Sequence, residues 1–121
     1  MPVDAFTIVE RVEDADWVLN AGPERPEALL EEYEGQLAAA VARGLPMVCA
    51  NPDKSVLQGG ARLLCAGAMA ERYEEMGGSV RYFGKPYPEI FARCLDRIGL
   101  TADRVLVVGD NLETDILGAN R

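Results

Sequence analysis

Short apolar runs alternate along the chain with longer segments in which apolar residues recur every three or four positions. The runs predict β-strands at 6–9, 16–20, 46–50, 62–65, 79–83 and 105–108. The periodic segments predict helices at 26–43, 66–76, 87–98 and 114–120. Strands that alternate with helices favour an α/β fold, with parallel pairing and right-handed crossovers.

The pattern also predicts two lobes, 1–76 and 77–121. The chain of 121 residues has room for one compact domain or two small lobes. The run at 105–108 is continuously apolar, which is typical of a strand buried on both faces of a parallel sheet. Because the second lobe has only two predicted strands, we expect it to pack on the first lobe, on a second copy or on a missing half of the protein.

Composition narrows the classes of function. Twenty acidic and 12 basic residues give a net charge of −8, and there is no histidine. The acidic balance disfavours nucleic acid as a partner, and no apolar run approaches the roughly 20 residues of a membrane span. The first ten residues lack a signal-peptide pattern. Cys49, Cys65 and Cys94 are predicted to be buried, reduced thiols of a cytoplasmic protein.

Charged residues follow two of the predicted strands at the point where each ends. Lys85 comes just after 79–83, Asp110 just after 105–108, and Asp115 lies five positions further on. Ligands of open parallel sheets sit beyond the carboxyl ends of the strands. Mg²⁺ prefers a few carboxylate oxygens together with water and phosphate oxygens. A lysine and two carboxylates at this edge therefore suit phosphate chemistry, with Lys85 on the phosphate and Asp110 and Asp115 as metal ligands.

Each of these signals also has a purely structural interpretation. Gly84–Lys85–Pro86 is also typical of a turn with a solvated lysine. Asp110 or Asp115 is also typical of a residue that caps a helix. Asn51 and Asp53 either form a plain Asn-Pro-Asp turn or reach the crevice as substrate-binding residues, a role also predicted for Asn111.

Two segments together resemble a known family. Gly84–Lys85–Pro86, followed by the sequence Val-Leu-Val-Val-Gly-Asp-Asn-Leu-Glu-Thr-Asp-Ile at 105–116, resembles motifs III and IV of the haloacid dehalogenase (HAD) superfamily, and most closely its subfamily IIA of NagD-like phosphatases. Segments 51–53 and 65–68 look like recurrent parts of that subfamily's C2-type cap. The resemblance extends over about 16–121.

The resemblance implies a partial HAD-like core joined to part of an α/β cap. It also implies Mg²⁺-dependent hydrolysis of a small phosphorylated metabolite through an aspartyl-phosphate. By the same resemblance, Lys85 is the motif III lysine, Asp110 the metal ligand of motif IV, and Asp115 its supporting acidic residue.

The family's nucleophile motif, an apolar run followed by Asp-x-Asp-Gly, is absent from the sequence. Asp14 and Asp16 form the one Asp-x-Asp, but they precede an apolar run and no glycine follows. We therefore expect a chain that is inactive alone. The alternatives are a non-catalytic binding or interaction module that self-associates to a homo-oligomer, and a receiver-like or nucleotide-binding domain. The second is weaker because there is no Gly-x-Gly-x-x-Gly or Walker loop.

Overall fold

The computed structural model describes residues 6–121. Five strands are present in this part of the chain: β1 (Val18–Asn20), β2 (Met47–Cys49), β3 (Ser55–Gln58), β4 (Ala61–Leu64) and β5 (Val80–Tyr82). The α-helices of the same residues are α1 (Glu34–Ala42), α2 (Ala66–Glu75), α3 (Pro88–Ile98) and α4 (Leu117–Ala119).

The main sheet has three parallel strands in the order β1-β2-β5. Val18 and Val80 both pair with Met47, on opposite sides of β2. Helix α1 connects β1 to β2, and α2 lies between β2 and β5 along the chain. The predicted α/β fold is therefore confirmed. Because the strands are parallel, all three carboxyl ends lie at one edge of the sheet.

The core lies where α1 and α2 cover the sheet. Its buried members come from all of these elements: Leu37, Ala40, Leu45, Met47, Cys49, Ala66, Ala70 and Tyr73. Tyr73 of α2 is fully buried, and its hydroxyl donates a hydrogen bond of 2.6 Å to the Leu45 carbonyl. A Cβ at Gly78 would lie 2.3 Å from the Tyr73 ring, so the chain leaves α2 tightly against this side chain.

Strands β3 and β4 form an antiparallel hairpin, of which the sequence pattern predicted only the second strand. Ser55–Gln58 was missed because it shows no clean alternation of buried and exposed positions, and both Val56 and Leu57 are exposed. The two-residue turn consists of Gly59 and Gly60, which both have positive φ. Adjacent positive φ angles are what a tight hairpin turn requires.

Two predicted strands are wrong. Residues 6–9 and 105–108 form no ladder with any strand of the described chain. Phe6, the first residue of the run 6–9, instead packs edge-to-face on Trp17, with ring centroids 5.7 Å apart. In the second, Leu106 and Val108 are each 87% exposed, because residues 6–121 offer this run no partner strand.

Helix α1 begins later than the predicted position 26. A 3-10 turn, Leu30–Tyr33, precedes it. The Glu32 carboxylate turns back to accept a hydrogen bond of 2.8 Å from the Leu29 amide, and it also pairs with Arg25. These local contacts satisfy the backbone before the helix starts at Glu34. The predicted stop is confirmed, since Gly44 adopts a left-handed φ of 66°.

The cysteines do not share one environment. Cys49 is buried and Cys65 is half-buried, but Cys94 is exposed on α3, so the expectation of three buried thiols is wrong. The cause is that α3 presents no buried residue within the described chain. All three thiols are free.

Strand β5 lies beyond residue 76 but pairs with β2, so the main sheet continues past the predicted lobe boundary. Downstream, α4 packs on α3 through Gly118, where a Cβ would lie 2.4 Å from the Phe91 ring. The division into lobes at residue 76 stays a prediction. Over residues 6–121, no helix combines the length and the apolar character needed to cross a bilayer.

Candidate active site

Two loops meet at the carboxyl edge of the main sheet, one after β2 and one after β5. Gly84 has a φ of +105°, and a Cβ there would lie 2.9 Å from Pro52 Cδ. The amide of Gly67, at the start of α2, donates a hydrogen bond of 2.9 Å to the Asp53 carbonyl. A Cβ on Gly67 would lie only 2.0 Å from the Pro52 oxygen. Two glycines therefore allow both loops and α2 to converge.

Lys85 and Asp115 form an ion pair across this convergence. The Lys85 ammonium donates a hydrogen bond to Asp115 Oδ1, and the other carboxylate oxygen accepts from the Asn111 amide at 3.3 Å. Asp115 as a residue is only 7% exposed. The hydrogen bond from Lys85 lowers the pKa of Asp115, and the same bond raises the pKa of Lys85. Both groups therefore stay charged over a wide pH range.

Asp110 lies in the turn that carries Asp115. A Cβ on Gly109 would lie 2.3 Å from Asp115 Cγ, so the absence of a side chain at 109 lets the turn close over this carboxylate. Asp110 is exposed, and none of the ion pairs within residues 6–121 uses it. The carboxylates of Asp53 and Asp110 also contribute to the raised pKa of Lys85. One lysine thus lies within electrostatic range of three carboxylates.

The predicted substrate-binding residues behave differently from one another. Asn51 Oδ1 accepts a hydrogen bond of 3.1 Å from the Asp53 amide, and Asn111 Oδ1 accepts one of 2.9 Å from the Glu113 amide. Both side chains therefore shape their own loops, as turn and cap residues do. Asp53 differs, because its Oδ1 is shielded from solvent and has no hydrogen-bond partner in the described residues.

The predicted metal ligands form an incomplete set. Within residues 6–121, no cluster of three or more acidic or thiol side chains is placed to hold a cation. Asp115 is engaged by Lys85, which leaves Asp110 as the accessible carboxylate. Mg²⁺ commonly uses one or two carboxylates and completes its shell with water and substrate oxygens. The donors among the described residues therefore fit only part of a magnesium site, in which Asp110 would be the accessible carboxylate.

Two aromatic residues that the sequence pattern did not single out support the lysine loop. Tyr82 ends β5 and stacks on Tyr87, with centroids 5.5 Å apart and planes 4° from parallel. Its hydroxyl donates a hydrogen bond of 2.8 Å to Glu74 of α2. Burial and the Glu74 carboxylate raise the pKa of Tyr82. The sequence does contain a signal for this support, because a tyrosine lies on each side of Gly84–Lys85–Pro86.

Comparison with known proteins identifies the class. The family described as HAD-hydrolase-like matches residues 82–121. The ribonucleotide monophosphatase NagD of Escherichia coli is 33% identical over 78 residues, 64% of this chain and 30% of its own. The acid sugar phosphatase of Staphylococcus aureus is 33% identical over 115 residues, 94% of this chain and 43% of its own.

Solved structures of similar proteins belong to the same class of hydrolase. A HAD-like hydrolase from Brucella suis superposes with a TM-score of 0.87 at 33% identity, covering 94% of this chain and 44% of that one. The glycerol phosphate phosphatase of Mycobacterium tuberculosis, solved in complex with magnesium, gives a TM-score of 0.70 at 32% identity, covering 93% and 33%.

The chain belongs to the HAD superfamily of hydrolases. Within this superfamily, the relatives place the chain in subfamily IIA, which includes NagD and the p-nitrophenyl phosphatases and is a lineage of phosphatases. The chain spans less than half the length of the relatives it matches.

Proposed function

We propose that residues 6–121 supply the phosphate-holding and metal-binding part of a phosphate monoester hydrolase of the HAD type. The observation that carries the proposal is the Lys85–Asp115 pair, held beside Asp110 at the carboxyl edge of the sheet. This edge is where ligands bind in open parallel α/β sheets. The phosphatase lineage of the relatives supports the same chemistry.

Lys85 is proposed to hold the phosphate oxygens of the substrate. Its ammonium is a compact charge with three donors, of which Asp115 takes one. The Asp115 carboxylate keeps Lys85 protonated and fixes its direction, so positive charge is in place before phosphate binds.

Asp110 is proposed to bind Mg²⁺, with Asp115 next to it in the turn. The relative from Mycobacterium tuberculosis was solved with magnesium, which supports this choice of metal. Bound Mg²⁺ would neutralise phosphate charge in the reaction. The contribution of this chain is to present the Asp110 carboxylate to solvent on a turn fixed by Gly109 and Asp115.

The substrate is proposed to be a small phosphorylated metabolite, contacted by the loop that contains Asn51 and Asp53. This loop touches Gly84 directly, so it borders the lysine. The unpartnered Oδ1 of Asp53 is an acceptor for a substrate hydroxyl or a water. Relatives named acid sugar phosphatase and glycerol phosphate phosphatase favour a sugar phosphate or a polyol phosphate as the substrate. Asn111, next to Asp110 in the sequence, is proposed to bind the substrate as well.

The nucleophile is proposed to come from polypeptide other than this chain, because the nucleophile motif is absent from its sequence, and the chain is therefore proposed to be inactive alone. Asp14 and Asp16 precede β1 and therefore lie towards the amino end of the sheet, whereas Lys85 follows β5 at the carboxyl end. Such an arrangement keeps them away from a phosphate held at Lys85. Without a covalent nucleophile, the remaining groups bind phosphate and metal but do not turn substrate over.

The test is Mg²⁺-dependent release of phosphate from p-nitrophenyl phosphate by the chain and by Asp110→Ala. We expect both to give the same background rate. Mg²⁺-dependent turnover that the substitution abolishes would show that the chain contains its own nucleophile. Calorimetry with Mg²⁺ and inorganic phosphate gives an independent readout. Binding that is lost in Asp110→Ala supports the proposed roles, and the absence of any binding rejects them.

A further inference from the structure

Two tyrosines close the turn that carries Lys85. Tyr82 and Tyr87 lie on either side of residues 83–86, and their rings stack with centroids 5.5 Å apart and planes 4° from parallel. The amide of Tyr87 also donates a hydrogen bond of 2.9 Å to the Gly84 carbonyl. One contact between side chains and one between backbone groups therefore join the two ends of this turn.

Tyr82 is the fixed member of the stack. Its side chain packs against the buried core between the sheet and the helices. Its hydroxyl donates a hydrogen bond of 2.8 Å to Glu74 of α2. The next residue, Phe83, continues the sheet because its amide donates a hydrogen bond of 2.8 Å to the Cys49 carbonyl. The position of Tyr82 is therefore set by β2 and α2 and not by the turn.

Tyr87 comes after the lysine, at the point where the chain leaves the sheet. Helix α3 begins at the next residue, Pro88, and has no buried residue among residues 6–121. This helix packs on α4, which directly follows the turn carrying Asp115. The stack therefore ties the α3–α4 pair, and with it the partner of Lys85, to the sheet.

The direction of the Lys85 ammonium depends on how this turn is closed. A lysine side chain has large rotamer freedom, which opposes any single contact that its ammonium makes. The hydrogen bond to Asp115 therefore holds the ammonium well only if the backbone at Lys85 is itself fixed. Gly84, which lies against Pro52, and Tyr87, which stacks on the sheet, fix the backbone on both sides of the lysine.

We propose that Tyr87 is a positioning residue whose ring, stacked on Tyr82, fixes the turn that aims the Lys85 ammonium at Asp115. The value of this aim for phosphate binding rests on the proposed function, since it requires Lys85 to be the group that holds phosphate. A ring that served only to stabilise the fold would leave the freedom of the lysine unchanged. The two cases therefore differ in a measurable property of Lys85.

The experiment measures how fast the protons of the Lys85 ammonium exchange with water, by NMR of the full chain labelled with nitrogen-15 at lysine. The chain has only two lysines, so Lys54, which pairs with Glu71 at 2.7 Å, serves as an internal reference. Tyr87→Leu removes the ring, and we expect exchange at Lys85 to become about two- to tenfold faster, the factor that one aromatic pair contributes to a local equilibrium. Tyr87→Phe keeps the ring face and should retain the exchange rate of the parent.

Tyr33→Leu is the matched control, because Tyr33 is also half-buried and its hydroxyl accepts a hydrogen bond of 3.1 Å from the Glu24 amide in the segment before α1. It should leave exchange at Lys85 unchanged. Tyr87→Gln is a second variant without an aromatic ring and keeps the test decisive if Tyr87→Leu does not fold. Unchanged exchange at Lys85 in either folded ring-free variant would overturn the proposal, and so would an equal increase in Tyr87→Phe or in Tyr33→Leu.

Calorimetry with inorganic phosphate and Mg²⁺ separates this proposal from the proposed function. We expect Tyr87→Leu to weaken phosphate binding by about the factor by which it accelerates exchange. Faster exchange with unchanged phosphate affinity, or a parent that binds no phosphate, would reject Lys85 as the phosphate-holding group and leave the positioning role intact. Weaker phosphate binding with unchanged exchange would reject the positioning role.

Discussion

The ammonium of Lys85 and the carboxylate of Asp115 are hydrogen-bonded across 30 positions of sequence. The pair joins the loop after β5 to the turn before α4. Asp115 is buried and accepts a second bond from a backbone amide, so the carboxylate is fixed while the lysine remains accessible. An arrangement of this kind presents a directed positive charge to an anion.

Lys85→Met should weaken binding of inorganic phosphate in the presence of Mg²⁺. The substitution removes the charged donor while keeping most of the side-chain volume, and we expect an affinity loss of about tenfold or more. Lys54→Met is the matched control, because Lys54 is the other lysine of the chain and pairs with Glu71 instead. Isothermal titration calorimetry measures both. Equal losses in the two variants would contradict the role of Lys85.

The Lys85–Asp115 pair should make stability depend on pH at both extremes. The pKa of Asp115 is lowered by Lys85, so its stabilisation is complete above the unfolded pKa of about 3.9 and is lost as pH falls through the folded value. The pKa of Lys85 is raised, so its stabilisation is complete below about 10.4 and is lost as pH rises through the folded value.

Urea unfolding of the parent and of Asp115→Asn measures this dependence. We expect the parent to lose more of its unfolding free energy than the variant between neutral pH and about pH 2.5, because only the parent has this carboxylate to protonate. In alkali, Lys85→Met should likewise show a shallower loss than the parent. Parallel pH profiles for all three proteins would mean that the pair contributes no stability.

Gly67→Ala should destabilise the fold by about 1–3 kcal/mol, the usual cost of forcing an extra group into a packed site. The new Cβ would lie 2.0 Å from the Pro52 oxygen and 2.7 Å from the Asp53 oxygen, and both atoms belong to the backbone. Gly35→Ala is the control in α1, since a Cβ there meets nothing within 4 Å. It should stabilise the helix by up to about 1 kcal/mol. Thermal unfolding compares the two, and similar melting temperatures would contradict the close approach.

The three thiols should react at different rates with a neutral-pH disulfide reagent. Cys94 is exposed and should react first. Burial raises the pKa of Cys49 and of Cys65, which lowers the fraction of reactive thiolate at both positions. We expect one equivalent to react quickly in the native protein and three in denaturant. The Cys94→Ser variant tests this assignment, and we expect it to lose the rapidly reacting equivalent. A rapidly reacting thiol that persists in the variant would be Cys49 or Cys65.

The elements that the sequence predicted correctly are those specified by local signals. Helix α2 follows from apolar spacing and ends at Glu75, two residues before the positive-φ Gly77. Helix α3 begins with Pro88 and ends at Ile98, just before a left-handed Gly99. These signals act over a few residues and do not depend on a distant partner. Strands β1, β2 and β5 were found because each is a short segment with a buried or half-buried apolar residue, such as Val18, Met47 and Val80.

The segments that the sequence predicted wrongly are those whose structure depends on pairing with another strand. The apolar run 105–108 describes an environment on both faces of a strand, and residues 6–121 do not supply that environment. Ser55–Gln58 lies in an exposed hairpin, where burial imposes no pattern on the sequence. Pairing, not composition, decides whether such segments become strands.

At the candidate site, Lys85 and Asp115 were expected to meet because each follows a predicted strand. They do meet, although 105–108 pairs with no strand among residues 6–121. The use of Asn51 and Asn111 as turn and cap acceptors does not follow from such a placement, because the same side chain serves a loop or a ligand equally well. Only the folded structure distinguishes these two residues from Asp53, whose Oδ1 has no hydrogen-bond partner among the described residues.

The short distance from β5 to Lys85 has a mechanical consequence. Tyr82 ends the strand and Lys85 follows three positions later, a span of at most about 11 Å of extended chain. Between them, Gly84 is held against Pro52 of the neighbouring loop. The close approach of Gly84 to Pro52 couples the lysine mechanically to the loop bearing Asp53. We therefore expect a displacement of the Asp53 loop to shift Lys85 as well, and with it the contact between its ammonium and Asp115.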